Sequence, residues 1–130
     1  MIVLDTCALV YDALTPERLS AAAREALDGG EEHGTLACAD ISLWEIAMLV
    51  SKGRLDPGTD SATFCQLALD TRRIRVLPIT PDIAMESTRI DLPHGDPADR
   101  LIAATAVIHG AVLLTCDERL RTGTAVQTLW

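Results

Sequence analysis

Aromatic side chains are nearly absent from this chain: its 130 residues include one phenylalanine, one tyrosine and two tryptophans. A core built with so few rings has to be aliphatic and rich in alanine. Positive charge is short as well. Eleven Lys and Arg face nineteen Asp and Glu, for a net charge of −8, and Lys52 is the only lysine. That balance argues against a protein that coats nucleic acid with a broad cationic face, though it says little about a local groove. No pair among Cys7, Cys38, Cys65 and Cys116 has the short spacing of a zinc knuckle. Each lies in or beside an apolar run, where a reduced cysteine behaves as a small hydrophobe. Long hydrophobic runs are missing too. The longest, Leu101–Ile108 with one threonine inside it, is far too short to span a bilayer. The opening residues Met1–Asp5 have neither a basic region nor a signal-like apolar segment. These absences predict a cytoplasmic protein with no membrane partner. No linker, repeat or low-complexity stretch divides residues 1–130, which read as one domain. A chain of that length buries roughly 65–70% of its unfolded surface.

What is present is organised around His94–Gly110, HGDPADRLIAATAVIHG. Asp96 is placed to cap a helix, Pro97 suits its first position, and Gly110 sits where a C-terminal glycine belongs. The helix between is apolar on nearly every face, which predicts burial. The segments before and after it alternate. Ile2–Leu4, Thr35–Ala39, Ile74–Pro78 and Ala111–Thr115 read as strands, with Ala125–Leu129 as an edge strand. Helices are expected over Thr6–Leu14, Leu19–Leu27 (stopped by Gly29-Gly30), Ser42–Lys52, about Asp60–Thr71, and from Thr80-Pro81 to before Leu92-Pro93. A short helical turn is expected over Asp117–Arg121. The alternation predicts an α/β domain, with helices on both faces of a mainly parallel sheet.

In such a sheet, strand C-termini and helix N-termini share one edge, and α/β proteins build their sites there. Asp5 ends the first strand and Asp117 follows the fourth. Glu45 and Asp99 fall in the first turns of two helices. The pattern therefore predicts that four acids converge. Two carboxylates ~5 Å apart at an effective dielectric of ~20 repel by about 3 kcal/mol, so a counter-ion is needed. Oxygen-only ligands suit Mg²⁺ or Mn²⁺, and such sites hydrolyse phosphate esters. Each acid also has a structural alternative. Ser42 and Glu45 match a capping box, Asp99 pairs with the Asp96 cap, and Asp117 can start the last helical turn. Asp5 has no routine structural job at the end of a buried apolar strand.

Beyond this, the chain resembles the PIN-domain ribonucleases, in particular the VapC-type toxins of bacterial toxin–antitoxin pairs. The resemblance lies in IVLDTCAL (Ile2–Leu9), ISLWEIAMLVSKGRL (Ile41–Leu55), VLPITPDIA (Val76–Ala84), HGDPADRLIAATA (His94–Ala106), LLTCDERL (Leu113–Leu120) and VQTLW (Val126–Trp130), in that order and spacing. It implies a PIN-like α/β/α fold around a central, mainly parallel sheet of four to five strands. It also implies an endoribonuclease dependent on Mg²⁺ or Mn²⁺, with Asp5, Glu45, Asp99 and Asp117 as catalytic metal ligands. Further implications are a homodimer, a small antitoxin partner, and a substrate drawn from tRNA or ribosomal RNA.

Around the acids, Thr6 and Thr115 are placed to hold Asp5 and Asp117, and Asp96 to support them. Arg54, Arg100 and Arg119 are the candidate RNA contacts by proximity in sequence. His94 reads as a solvent-facing loop residue that an RNA strand could approach, and Trp44 and Met48 as core or dimer contact. Arg72, Arg73 and Arg75 form a basic cluster whose default is solvation. A receiver-type phosphotransfer domain would require another strand-end aspartate and a late lysine. An aspartyl-nucleophile hydrolase would require an acid where Cys7 stands. A silent PIN-like binding module, or another metal-dependent phosphoesterase, is the alternative.

Overall fold

The computed structural model describes residues 1–93 and 95–130; His94, and with it the expectation for that residue, lies outside them. Five strands form one sheet: β1 (Ile2–Leu4), β2 (Leu36–Ala39), β3 (Arg75–Leu77), β4 (Val112–Leu114) and β5 (Thr128–Leu129). Their order is β3-β2-β1-β4-β5, with every pairing parallel. The expected edge strand at 125–129 is thus only two residues long.

Burial on both faces explains the unbroken apolar strands IVL, LACA and VLL. Successive residues serve opposite layers. Val3, Ala37 and Leu113 pack in one core with Ile102, Ala103 and Ala106. Leu4, Cys38 and Leu114 pack in the other with Leu9, Leu27, Ile46 and Phe64. The helices are α1 (Thr6–Leu14), α2 (Ala21–His33), α3 (Ile41–Ser51), α4 (Ser61–Arg72), α5 (Pro81–Arg89), α6 (Pro97–Ile108) and α7 (Glu118–Arg121), with a 3-10 turn at Pro16–Arg18. Helix α6 is the one organised by Asp96, Pro97 and Gly110, and its Ile102–Ala106 run is buried.

Two expectations need correction. Helix α2 does not stop at Gly29-Gly30; it runs on to His33 and is closed by Gly34 in the left-handed conformation, φ 66°. Gly30 is there for clearance, not for a turn. A Cβ on it would lie 2.3 Å from Cδ2 of the buried Leu36, so its absence lets α2 seat on β2. Of the basic cluster, Arg73 and Arg75 are exposed as expected, but Arg72 is not simply solvated. Arg72, the last residue of α4, pairs with Asp12 of α1 at 2.8 Å and with Asp28 and Glu31 of α2 at 2.7 and 3.0 Å. Arg73 donates to the Glu31 carbonyl at 2.9 Å. Both arginines strap helices together. The cysteines are all free; Cys38 is buried as expected, whereas Cys7 is exposed. Among the described residues no helix is long and apolar enough to cross a membrane.

The two helix glycines should respond oppositely to Ala. Gly30→Ala forces Leu36 aside and is expected to cost about 1–3 kcal/mol. Gly29→Ala meets nothing within 4 Å and should gain up to about 1 kcal/mol from helix propensity. Thermal or urea unfolding of the two variants checks this, and equal effects would contradict the packing role given to Gly30.

Candidate active site

The parallel register brings the ends of β1 and β4 side by side, Leu4 against Leu114. Asp5 follows the first and Asp117 lies just beyond the second. Asp5 is only 5% exposed and has a structural job after all. One of its oxygens accepts from the Ala8 amide at 2.7 Å, capping α1. The other accepts the Thr115 hydroxyl proton. Thr115 in turn accepts from the Asp117 amide at 3.0 Å, so one buried hydroxyl fixes both acids. Asp117 caps α7 through the Arg119 amide at 2.9 Å.

Thr6 does not hold Asp5, as expected from adjacency. Its hydroxyl reaches across to Glu45 at 2.5 Å and pairs with the buried Ser42 hydroxyl at 3.1 Å. With one proton to give, Thr6 donates to Glu45 and accepts from Ser42. This replaces the capping-box reading of Ser42 and Glu45. Helix α3 starts one residue earlier than expected, with Asp40 at its N-cap, so Ser42 lies inside the helix and turns inward. Ser42 is the site residue that sequence reasoning missed, because its partner is 36 positions away.

Asp99 is the third residue of α6, and Asp96 supports it by accepting from the Ala98 and Asp99 amides at 3.0 and 3.5 Å. Arg119 spans the last two acids, 3.1 Å from Asp117 and 3.5 Å from Asp99. Arg100, also a candidate RNA contact, is placed otherwise: its guanidinium donates to the Ser87 and Ile90 carbonyls, both at 2.7 Å, and ties α6 to the end of α5. Arg54 is exposed and lines a hollow with Trp44, Glu45 and Asp96. Trp44 is 55% exposed, which removes it from the core.

The four acids feel one another. Burial, reinforced by Asp117 and Glu45, pushes Asp5 up to about 6 despite its two hydrogen bonds. Burial, then Asp96, Asp117 and Glu45, pushes Asp99 up to about 7, against the pull of Arg119. Burial also raises Glu45, opposed by the Thr6 hydroxyl. This edge is short of positive charge, and all four donors are hard oxygens, which is the chemistry of a Mg²⁺ or Mn²⁺ site. Among the described residues no three acids form a ready-made cage. A metal ion bound here would have to draw its remaining ligands from water.

The chain matches the PIN domain model over residues 2–123. It is 38% identical to Ribonuclease VapC22 of Mycobacterium tuberculosis over 123 residues, 92% of this chain and 89% of that one. It therefore belongs to the PIN-domain family. Solved structures share its fold. VapBC2 from Rickettsia felis, bound to promoter DNA, superposes with a TM-score of 0.76 at 20% identity, covering 99% of this chain and 98% of that one. FitAcB from Neisseria gonorrhoeae does so at 0.70 and 22%, covering 100% and 97%.

The raised acids set a sign for stability. A carboxyl that holds its proton more tightly in the folded state binds more protons than the unfolded chain between the ordinary value of 3.8 and about 7. Stability then falls as pH rises through that window and levels off above it. The metal-free protein in EDTA should melt at higher temperature near pH ~5 than near pH ~8. Asp99→Asn should recover about 1–3 kcal/mol at the higher pH. A destabilised Asp99→Asn would instead make this acid a structural partner.

Proposed function

We propose that this protein is a metal-dependent endoribonuclease, the toxin of a toxin–antitoxin pair, that hydrolyses RNA phosphodiester bonds at Asp5, Glu45, Asp99 and Asp117. The observation that carries the reading is the convergence of four undercompensated carboxylates on one sheet edge, in a chain 38% identical to a ribonuclease. Mg²⁺ or Mn²⁺ bound there would lower the pKa of an attacking water and neutralise the leaving oxygen. The protein's part is positioning. Thr115 locks Asp5 against the end of β4, and Thr6 locks Glu45 toward it. Arg119 bridges Asp99 and Asp117 and is a cation beside the acids where a scissile phosphate would sit. Asp96 and Thr115 support the ligands without joining them.

A small antitoxin is the expected protein partner, since solved relatives of this fold include a toxin–antitoxin complex from Klebsiella pneumoniae. Homodimer formation is part of the same proposal, and the exposed Trp44 supplies apolar surface for it. The substrate is expected to be an exposed single-stranded loop, whose backbone can reach a recessed site. With a net charge of −8, the protein cannot draw RNA in by long-range attraction, so binding must rest on a few local contacts.

Cleavage mapped by sequencing RNA ends after brief induction tests the activity. The wild type should cut at defined positions with Mg²⁺ or Mn²⁺, and Asp5→Asn or Asp117→Asn should abolish cutting. Full activity in EDTA would overturn the metal reading. A cleavage-silent variant titrated with single-stranded RNA should show a log–log salt slope no steeper than about −3. A slope near −7 would reveal a broad basic surface instead.

A further inference from the structure

A hollow of about 280 Å³ adjoins the acids, between α1, the Pro16–Arg18 turn and the segment after α3. Thr6, which holds Glu45, lines it, together with apolar walls from Tyr11, Leu49 and Leu55. Two exposed cations, Arg18 and Arg54, complete the lining. The Arg18 guanidinium lies 4.2 Å from the centre of the Tyr11 ring. Tyr11 is itself braced edge-on by Trp130, at 6.2 Å and 62°. A planar cation is thus held on a fixed ring, with its outer side toward solvent. Among the described residues neither arginine has a carboxylate within salt-bridge distance, although acids outnumber bases nineteen to eleven in the chain. Arg54 and Leu49 also line a second hollow of about 370 Å³ that includes Trp44, Glu45 and Asp96, so Arg54 stands between two hollows, one of them lined by two acids.

From this arrangement we infer that the Tyr11–Arg18 hollow is a nucleobase subsite: an unstacked base of the RNA strand, next to the scissile phosphate, lies on the Arg18 guanidinium, and Arg54 holds a flanking phosphate. The inference rests on the ribonuclease reading and deepens it. Two cations without carboxylate partners, beside an acidic centre that repels phosphate, match a ligand that is both planar and anionic. An apolar protein segment would use the walls and leave both charges unanswered. Splayed bases stack on aromatic rings and on Arg planes alike, and with little sequence preference. The hollow would therefore hold the strand in place without choosing a base.

The test uses the full chain carrying Asp5→Asn and a short fluorescein-labelled RNA spanning a cut site mapped with the wild type. An abasic nucleotide is walked through each position, and affinity is read by anisotropy. One abasic position beside the cut should weaken binding roughly 5- to 100-fold. Arg18→Ala should weaken the intact RNA by a similar factor and the abasic RNA hardly at all. Arg18→Lys, which keeps the charge and loses the plane, should lose abasic sensitivity while keeping the salt slope. Equal affinities along the walk, or an abasic penalty that survives Arg18→Ala, would overturn the subsite. So would a short leucine- and aspartate-containing peptide that binds the wild type but not Arg18→Ala while displacing no RNA, which would assign the hollow to a protein segment. Wild-type cleavage of the same RNA with Mn²⁺ is scored in parallel. Cleavage without an abasic effect overturns the subsite alone. If no RNA is cut by the wild type, a generic single-stranded RNA carries the walk, and the ribonuclease reading falls by itself.

Discussion

The Thr115 hydroxyl is the contact on which the acidic edge depends. It donates to Asp5 and accepts from the Asp117 amide, so it locks together the residues that follow β1 and β4. A hydrogen bond to a buried carboxylate contributes about 1.5–3 kcal/mol, more than most. Here it opposes a larger desolvation penalty on Asp5, which stays raised despite it. Asp5 is also bound to the Ala8 amide, so neither of its oxygens is free to drift. The most deeply buried of the four acids is thus also hydrogen-bonded at both oxygens.

Scarce positive charge is rationed between folding and function. Arg72 spends its guanidinium on three acids from two helices, and Arg100 on two carbonyls at the end of α5. Arg119 lies across Asp99 and Asp117. The placements of Arg72 and Arg100 reduce the cationic surface that RNA could meet, and Arg119 stays exposed beside the acids. The chain therefore couples a negative average surface to a few exposed arginines near the acids, an arrangement that favours local recognition over general adhesion.

Much of this was legible in the residues. Strands such as IVL and VLL read correctly because burial on both faces leaves no polar alternation to confuse them. The N-cap Asp96, with Pro97 behind it, marked α6 within one residue. The failures have physical causes. At Gly29-Gly30 a glycine needed for close approach looks the same as a glycine needed for a turn, and only Leu36, six residues on, tells them apart. Ser42 and Glu45 have capping-box spacing, yet the side chain that engages them is Thr6. Arg18 stacks on Tyr11 across a helix break that periodicity cannot bridge. Local rules located the acids, and contacts between distant segments decided what held them.

The sheet order has a consequence for synthesis. β1 precedes the other four strands in the chain but sits in the middle of the sheet, with β4 as one of its two neighbours. Thr115 reaches Asp5 across 110 positions, so this contact closes a loop covering most of the chain. Loops that long close late, after local helices and neighbouring strands have formed. While a ribosome is still adding residues before Thr115, the chain has Asp5 but neither its lock nor Asp117. Every prematurely ended product of the gene up to that point is therefore missing one acid and the hydroxyl that fixes another. The complete acidic edge exists only in chains that have been translated past Asp117.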